Sequence, residues 1–460
     1  MKKHPNAAIA RSKQYLLHKV RAILGNASGD NLKGFLAKAV AGTFGFRVLN
    51  AGLGYAIGLL LARLLGAEGY GIYAYAIAWA TLLEIPATLG LAPLLTREIA
   101  VYQTRGDWHL ARGLLRWSHL MVLLAGLGLA AIAAVTATVL TSDPDSPRRI
   151  VFWIAAIALP LMALSRIRSA TMQALDRIVL GQLPELVVRP VVIILLLCGG
   201  YFLLEERLTA PIAVAIYTTA TAVAFLWGAA LLQRALAAKL QPASPGYRRG
   251  EWIREALPML FVGGMYILNN QTDTVMLGAM ANAETVGIYH IANRGAGLIT
   301  FILVAFNTSL GPTFASLYAQ GNREKLQRVI TKSCRLILLA AVPIATILIL
   351  FGNWFLLLFG REFVAGHGVL IVLCLGQLTN AFTGSVAVLL NMTGHQKDTA
   401  IGVTISALLN IILNATLIPL WAGEGAAIAT ATSMMLWNIL LVWFVYKRLN
   451  IYATALGKIG

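Results

Sequence analysis

Eight residues set in long apolar stretches carry groups that could do chemistry: Arg47, Asn50, Glu84, Asn269, Asn270, Gln271, Asp273 and Arg294. A charge taken out of water costs on the order of several kcal/mol unless a partner or a ligand offsets it. Asp273 and Arg294 lie about ten residues before and after a turn near 283–284, so on antiparallel helices they sit level. They are expected to face each other near the membrane centre. Two readings are open: a self-neutralising ion pair, or a pair that opens when Arg294 meets a phosphate or Asp273 takes a proton. Asn269, Asn270 and Gln271, one turn away, offer hydrogen bonds to sugar hydroxyls or to water.

Arg47 stands about twenty residues before a matching turn at 67–68, with Asn50 and Gly54 at i+3 and i+7 on the same face. A guanidinium there either receives a pyrophosphate, which it binds bidentately, or snorkels to the headgroups. Glu84, about sixteen residues past the same turn and followed by Pro86, reads as a proton carrier, a balance for Arg47 or a neutral packing residue. Arg97 reads as an interface anchor.

The elements that position these groups are membrane helices. About 20 apolar residues cross the hydrocarbon as a helix. Twelve stretches qualify: roughly 35–64, 72–97, 117–140, 150–167, 180–204, 209–233, 256–280, 287–316, 333–353, 367–391, 399–421 and 424–446. They are continuously apolar rather than alternating, which selects helices over a barrel. Only 12% of the 460 residues are charged, about half of what a soluble domain carries. The net charge of +18 carries no nucleic-acid motif with it. Instead Lys and Arg concentrate in alternate loops, 29 against 5, taking 166–189 as one of the loops of the rich side. By the positive-inside rule both termini are cytoplasmic. Residues 9–24 suit either a basic helix lying on the anionic leaflet or a disordered tail. Cys198, Cys334 and Cys374 sit in apolar runs and read as small buried side chains.

Residues 64–76 align with 280–292 and match at Ala67/Ala283, Glu68/Glu284, Gly71/Gly287, Ile72/Ile288, Tyr73/Tyr289 and Ala76/Ala292. Six spans in each half make the halves parallel repeats about an axis along the membrane normal. The expected organisation is a basic segment 1–34, a six-helix lobe 35–233, a linker 234–255, a second lobe 256–446 and a tail 447–460. The charges are not repeated: Arg294 aligns with Ala78, Asp273 with Ile57 and Arg47 with Gly263. That asymmetry suggests the charges serve a substrate path rather than lobe construction. Gly54 and Gly58 form a small-xxx-small pair, read here as packing alone.

The hairpin LLARLLGAEGYGIYAYAIAW (60–79), the segment LGLAPLLTREIA (89–100), and TDTVMLG (272–278) with VGIYHIANR (286–294) carry a family resemblance. The chain resembles the bacterial oligosaccharide flippases of the multidrug/oligosaccharidyl-lipid/polysaccharide exporter superfamily over about residues 35–446. The resemblance implies two six-helix lobes around a central cavity that opens alternately to each side of the inner membrane. It implies a substrate of sugars on undecaprenyl pyrophosphate, for surface polysaccharide or lipopolysaccharide biosynthesis. It also implies cavity arginines on the first and eighth helices, here Arg47 and Arg294. Expected partners are the lipid-linked oligosaccharide, membrane lipids, and polysaccharide polymerase and chain-length machinery, without nucleic acid or cofactor.

Other functions fit less well. The sequence has no P-loop and no zinc-ligand spacing. Asp143-Pro144-Asp145 resembles a sugar-nucleotide motif but has turn composition. A cation-coupled drug exporter favours an acidic cavity, whereas Arg47 and Arg294 against Glu84 and Asp273 are balanced. A lipid II flippase usually has more than twelve helices, and a glycosyltransferase or polymerase needs larger outer loops than these.

Overall fold

A computed structural model describes residues 29–140, 146–203, 208–239 and 244–457. The basic segment 9–24 and Asp143-Pro144-Asp145 lie outside them. Two units are distinguished, one ending at Leu49 and one running from Asn50 to Gly460. The first is helical from Gly29; the second holds the rest of the helices.

The helices are α1 (Gly29–Thr88), α2 (Leu91–Arg105), α3 (Trp108–Leu140), α4 (Pro147–Ala174), α5 (Ile178–Leu183), α6 (Arg189–Leu203), α7 (Ala210–Lys239), α8 (Arg249–Met280), α9 (Ala283–Ala319), α10 (Arg323–Leu357), α11 (His367–Thr383), α12 (Val386–Met392) and α13 (Gln396–Leu449). One π-helical turn, Pro184–Val188, joins α5 to α6. Nine helices among the described residues are long and apolar enough to cross a membrane. The 54-residue α13 is far longer than one span needs. It bends at Trp421 and Ala422, as α1 does at Gly66. With α1–α2, α5–α6 and α11–α12 each continuing across a short break, the described residues form twelve rods. α8 falls outside the nine because its middle carries Asn269, Asn270, Gln271 and Asp273.

The protein is therefore a multi-pass, all-α membrane protein. The helices differ from the expected spans chiefly at 166–189. Only residues 175–177 separate α4 from α5, so Arg166, Arg168 and Arg189 lie on helices rather than in a loop. Each is held by side chains of neighbouring helices, which the basic tally could not show. The span expected at 367–391 is broken at Gly384, which has φ 65°. Residues 450–457 fold back here: the Ala455 amide donates to Phe382 O, and Ile451 and Ala453 are buried.

Packing explains the internal repeat. A methyl on Gly71 would meet Ala283 O at 1.7 Å, and one on Gly287 would meet Ala67 O at 2.1 Å. Those four residues are two of the matched pairs. The repeat is thus a reciprocal close approach of α1 and α9 that only glycine permits. One core cluster draws on both halves, including Leu61, Tyr70, Tyr289 and Ala292. A second is built on α2–α4 and α7, and takes in Trp252 and Ala256 from the start of α8. A third belongs to α9–α13 and the tail.

Candidate functional site

Arg294 lies on α9, where it crosses α1. Its guanidinium rests on Gly54 and Gly58: a methyl on Gly54 would sit 2.9 Å from Nη2, and one on Gly58 3.1 Å from Cζ. The glycine pair therefore makes a seat for an arginine and is more than helix packing. The guanidinium lies 5.2 Å from the Tyr55 ring centroid. The Tyr55 hydroxyl donates to the Arg294 carbonyl, and Tyr70 shares a 2.9 Å hydrogen bond with His290 Nδ1. Among the described residues no carboxylate pairs with Arg294, and its buried Nε has no acceptor. Asn50, one turn before Gly54, is half-buried on the same helix face.

Asp273 is not Arg294's partner. It is 4% exposed and accepts four hydrogen bonds, from Asn410 Nδ2 (3.0 Å), Asn414 Nδ2 (2.7 Å), Tyr289 Oη (2.9 Å) and Thr430 Oγ1 (2.6 Å). The expected pairing fails on helix geometry. Tyr289 turns toward Asp273, and Arg294, five residues on, points about 140° away around α9. All four donors are neutral, so the carboxylate is solvated by the protein without a cation among the described residues.

Glu84 is also buried, and its neighbour is Arg166 at 3.6 Å. The two line a cavity of about 80 Å³ with Gly263 and Gly264 of α8. Beside it, Arg168, 1% exposed, holds both oxygens of Glu185 at 2.6 and 2.7 Å. Arg189, the first residue after the π-helical turn, lies 5.4 Å from the Tyr217 ring centroid and 3.4 Å from its hydroxyl. The side chain of Arg47 lies outside the described residues. Asn269 is half-buried with an Oδ1 that finds no donor, Asn270 is exposed and donates to Tyr266 O, and Gln271 is half-buried. Arg97 pairs with Glu98 and with Glu255 on α8.

Sequence reasoning missed Arg189, Asn410, Asn414, Thr430 and His290. Asn410 and Asn414, one turn apart in an apolar helix, were the available signal. Nothing local marks Thr430 or Tyr217 as partners, because their contacts are set by helices far apart in sequence.

At the Gly66 end, the halves cap each other's helices. Glu362 Oε2 accepts from the Ala67 amide at 2.6 Å, where the second rod of α1 begins. Arg63 donates to Leu358 O (2.6 Å) and Leu357 O (3.2 Å), where α10 ends. A carboxylate at a helix N-terminus and a guanidinium at a C-terminus both suit the helix dipole.

Comparison with known proteins agrees with this architecture. The chain is 35% identical to a probable flippase, AglR, of Haloferax volcanii over 175 residues, which is 37% of this chain and 36% of that protein. It is 24% identical to the lipid II flippase MurJ of Bacillus subtilis, over 88% of this chain and 81% of that one. Its fold matches an inward-facing multidrug resistance MATE family transporter of the MOP superfamily (TM-score 0.68, 14% identity, 87% of this chain and 94% of that chain). It equally matches a lipid II flippase MurJ in an inward closed conformation (TM-score 0.68, 14% identity, 89% and 87%). The MatE family matches residues 258–416. The family described as polysaccharide biosynthesis protein matches residues 36–318, well over half of the chain, and the chain belongs to that family.

Proposed function

We propose that the protein is a flippase that moves a lipid-linked oligosaccharide across the membrane by alternating access. The observation that carries this reading is Arg294. It is a guanidinium at membrane depth, with a glycine seat cleared for it, no acidic partner among the described residues and a buried Nε without an acceptor. A cation so placed is unfavourable in the empty protein and gains most from an anionic ligand. The diphosphate of a polyprenyl-linked glycan, such as undecaprenyl pyrophosphate, supplies two phosphates for bidentate pairing. Arg47 is the first contact in this scheme and Arg294 the second. Asn50, Asn269, Asn270 and Gln271 meet sugar hydroxyls.

Asp273 is the coupling residue. Protonating it would remove the charge that holds Asn410, Asn414, Tyr289 and Thr430 in place, and so loosen α8 from α13. Glu84, facing Arg166 across the small cavity beside α8, is the second coupling candidate. Both termini are placed in the cytoplasm of a bacterial inner membrane, which makes the Gly66 end the outer one. Polysaccharide polymerase and chain-length machinery would then receive the product. The two lobes are assigned to 35–233 and 256–446, linked by 234–255.

A cation-coupled multidrug exporter is the second reading, favoured by the MatE match and by the lone carboxylate of Asp273. Proteoliposomes separate the two. The flippase moves a fluorescent undecaprenyl-diphosphate oligosaccharide between leaflets and leaves a lipophilic cationic dye in place. Movement of the dye alone would select the exporter.

A further inference from the structure

Three arginines and two glutamates lie close together in the first half, and one of the arginines, Arg166, is about half exposed. Glu84 faces Arg166, and Glu185 is taken by both of its oxygens by Arg168. Arg189 is the third arginine of the group. Its near carboxylates are those same two, each already engaged by another arginine, and neither lies within ion-pair distance of it. What touches Arg189 is Tyr217, by ring and by a long contact to the hydroxyl. A cation–π contact stabilises a guanidinium by about 1–2 kcal/mol and leaves its charge in place.

The depth of this charge is set by the helix. Arg189 lies eleven residues beyond Ile178, about 17 Å along the rod at 1.5 Å per residue. Headgroup water is out of easy reach there. The preceding π-helical turn changes the helical phase by one residue and so re-aims the side chains beyond it, and such turns recur at functional sites. Arg189 is half-buried and its contact residue Tyr217 is buried.

The surroundings connect it to Arg294. The Tyr217 and Tyr73 rings are 6.4 Å apart, and Tyr73 and Tyr70 are 6.2 Å apart. Tyr70 is hydrogen-bonded to His290, on the same helix as Arg294. The result is a strip of tyrosines with a guanidinium at each end that makes no direct ion pair among the described residues.

We propose that Arg189, with Tyr73 and Tyr217, is a second anion-binding station. It takes the diphosphate of the lipid-linked glycan in exchange with Arg294, and it rests on the reading of Arg294 given above. An oxyanion between the two stations keeps a guanidinium within reach throughout, so the charge never crosses the hydrocarbon unpaired. Tyr70 and Tyr217 are buried in this structure, so their hydroxyls would meet phosphate oxygens only when the helices part during transport.

The test uses the full-length protein in detergent, with inorganic pyrophosphate as the probe in calorimetric titration and lipid-linked oligosaccharide transport in parallel. Arg189→Gln and Arg294→Gln are each expected to weaken pyrophosphate binding at least about tenfold, the loss of a charge-assisted contact. Arg189→Lys should keep more affinity than Arg189→Gln. Tyr217→Glu places an acid beside Arg189, so it should abolish this station without removing the arginine; it carries the test if Arg189→Gln fails to fold. In transport, Arg189→Gln should raise the apparent KM for the lipid-linked substrate. Unchanged pyrophosphate affinity in folded Arg189→Gln or Tyr217→Glu, with affinity lost in Arg294→Gln, would overturn the second station and leave the flippase reading intact. Unchanged affinity in Arg294→Gln as well would remove both.

Discussion

Tyr73 and Tyr289 occupy matching positions of the internal repeat, yet they face opposite charges. Tyr289 donates to Asp273, a carboxylate surrounded by neutral donors. Tyr73 stands beside Tyr217, which carries Arg189 on its ring. Tyr217 and Thr430, the partners on the last rod of each half, both lie about two turns into that rod. The repeated tyrosine therefore stands next to different charges: in the first half Arg189, by way of Tyr217, and in the second half Asp273. The repeat supplies the tyrosine and the close helix approach. The charge comes from α6 in one half and from α8 in the other. The shared residues build the fold, and the unshared ones give each half its own charges.

The contrast between the halves can be broken at its strongest point first. In the first half, Arg168→Ala removes the arginine that holds both oxygens of the half-buried Glu185 and is expected to cost about 3 kcal/mol. A steep fall in thermal stability in detergent would show it. In the second half, Asp273→Asn keeps shape but turns part of the acceptor into a donor. One or two of the four hydrogen bonds are lost, at about 1–3 kcal/mol each, and transport falls away in protein that still folds. Transport at the wild-type rate in Asp273→Asn would remove that residue from coupling. A smaller effect is expected from Gly58→Ala, whose methyl would press on the Arg294 guanidinium at 3.1 Å and cost about 1 kcal/mol. It should slow transport more than Gly52→Ala, which meets open space. The smallest stability effect belongs to Glu362→Ala at the exposed Gly66 end. It should barely change melting, but raise labelling of a cysteine placed at Ala67 by a membrane-impermeant thiol reagent, because the cap across the halves is gone.

Much of the frame is legible in the sequence. Twelve rods, the turns near 67 and 283, and the glycine–alanine repeat all follow from apolar run length and from residues that must sit close together. The site is legible in composition and not in pairing. Residue counts alone place Asp273 and Arg294 level, but level helices still choose which face to present. The 140° between Tyr289 and Arg294 sends one toward α13 and the other onto α1. Arg166, Arg168 and Arg189 read as loop residues because arginines interrupt the apolar run. Glu84, Glu185 and Tyr217, which hold them on the helices, come from other rods. Gly54 and Gly58 read as packing because a glycine seat is visible only once its occupant is known.

The central claim is that Arg294 holds the diphosphate of a lipid-linked glycan during translocation. Its most direct test is transport of undecaprenyl-diphosphate oligosaccharide in proteoliposomes by the wild type and by Arg294→Ala, with folding checked in both. Transport by the wild type and its loss in the variant are expected. Equal transport by both would contradict the claim and return Arg294 to a structural part of the α1–α9 crossing.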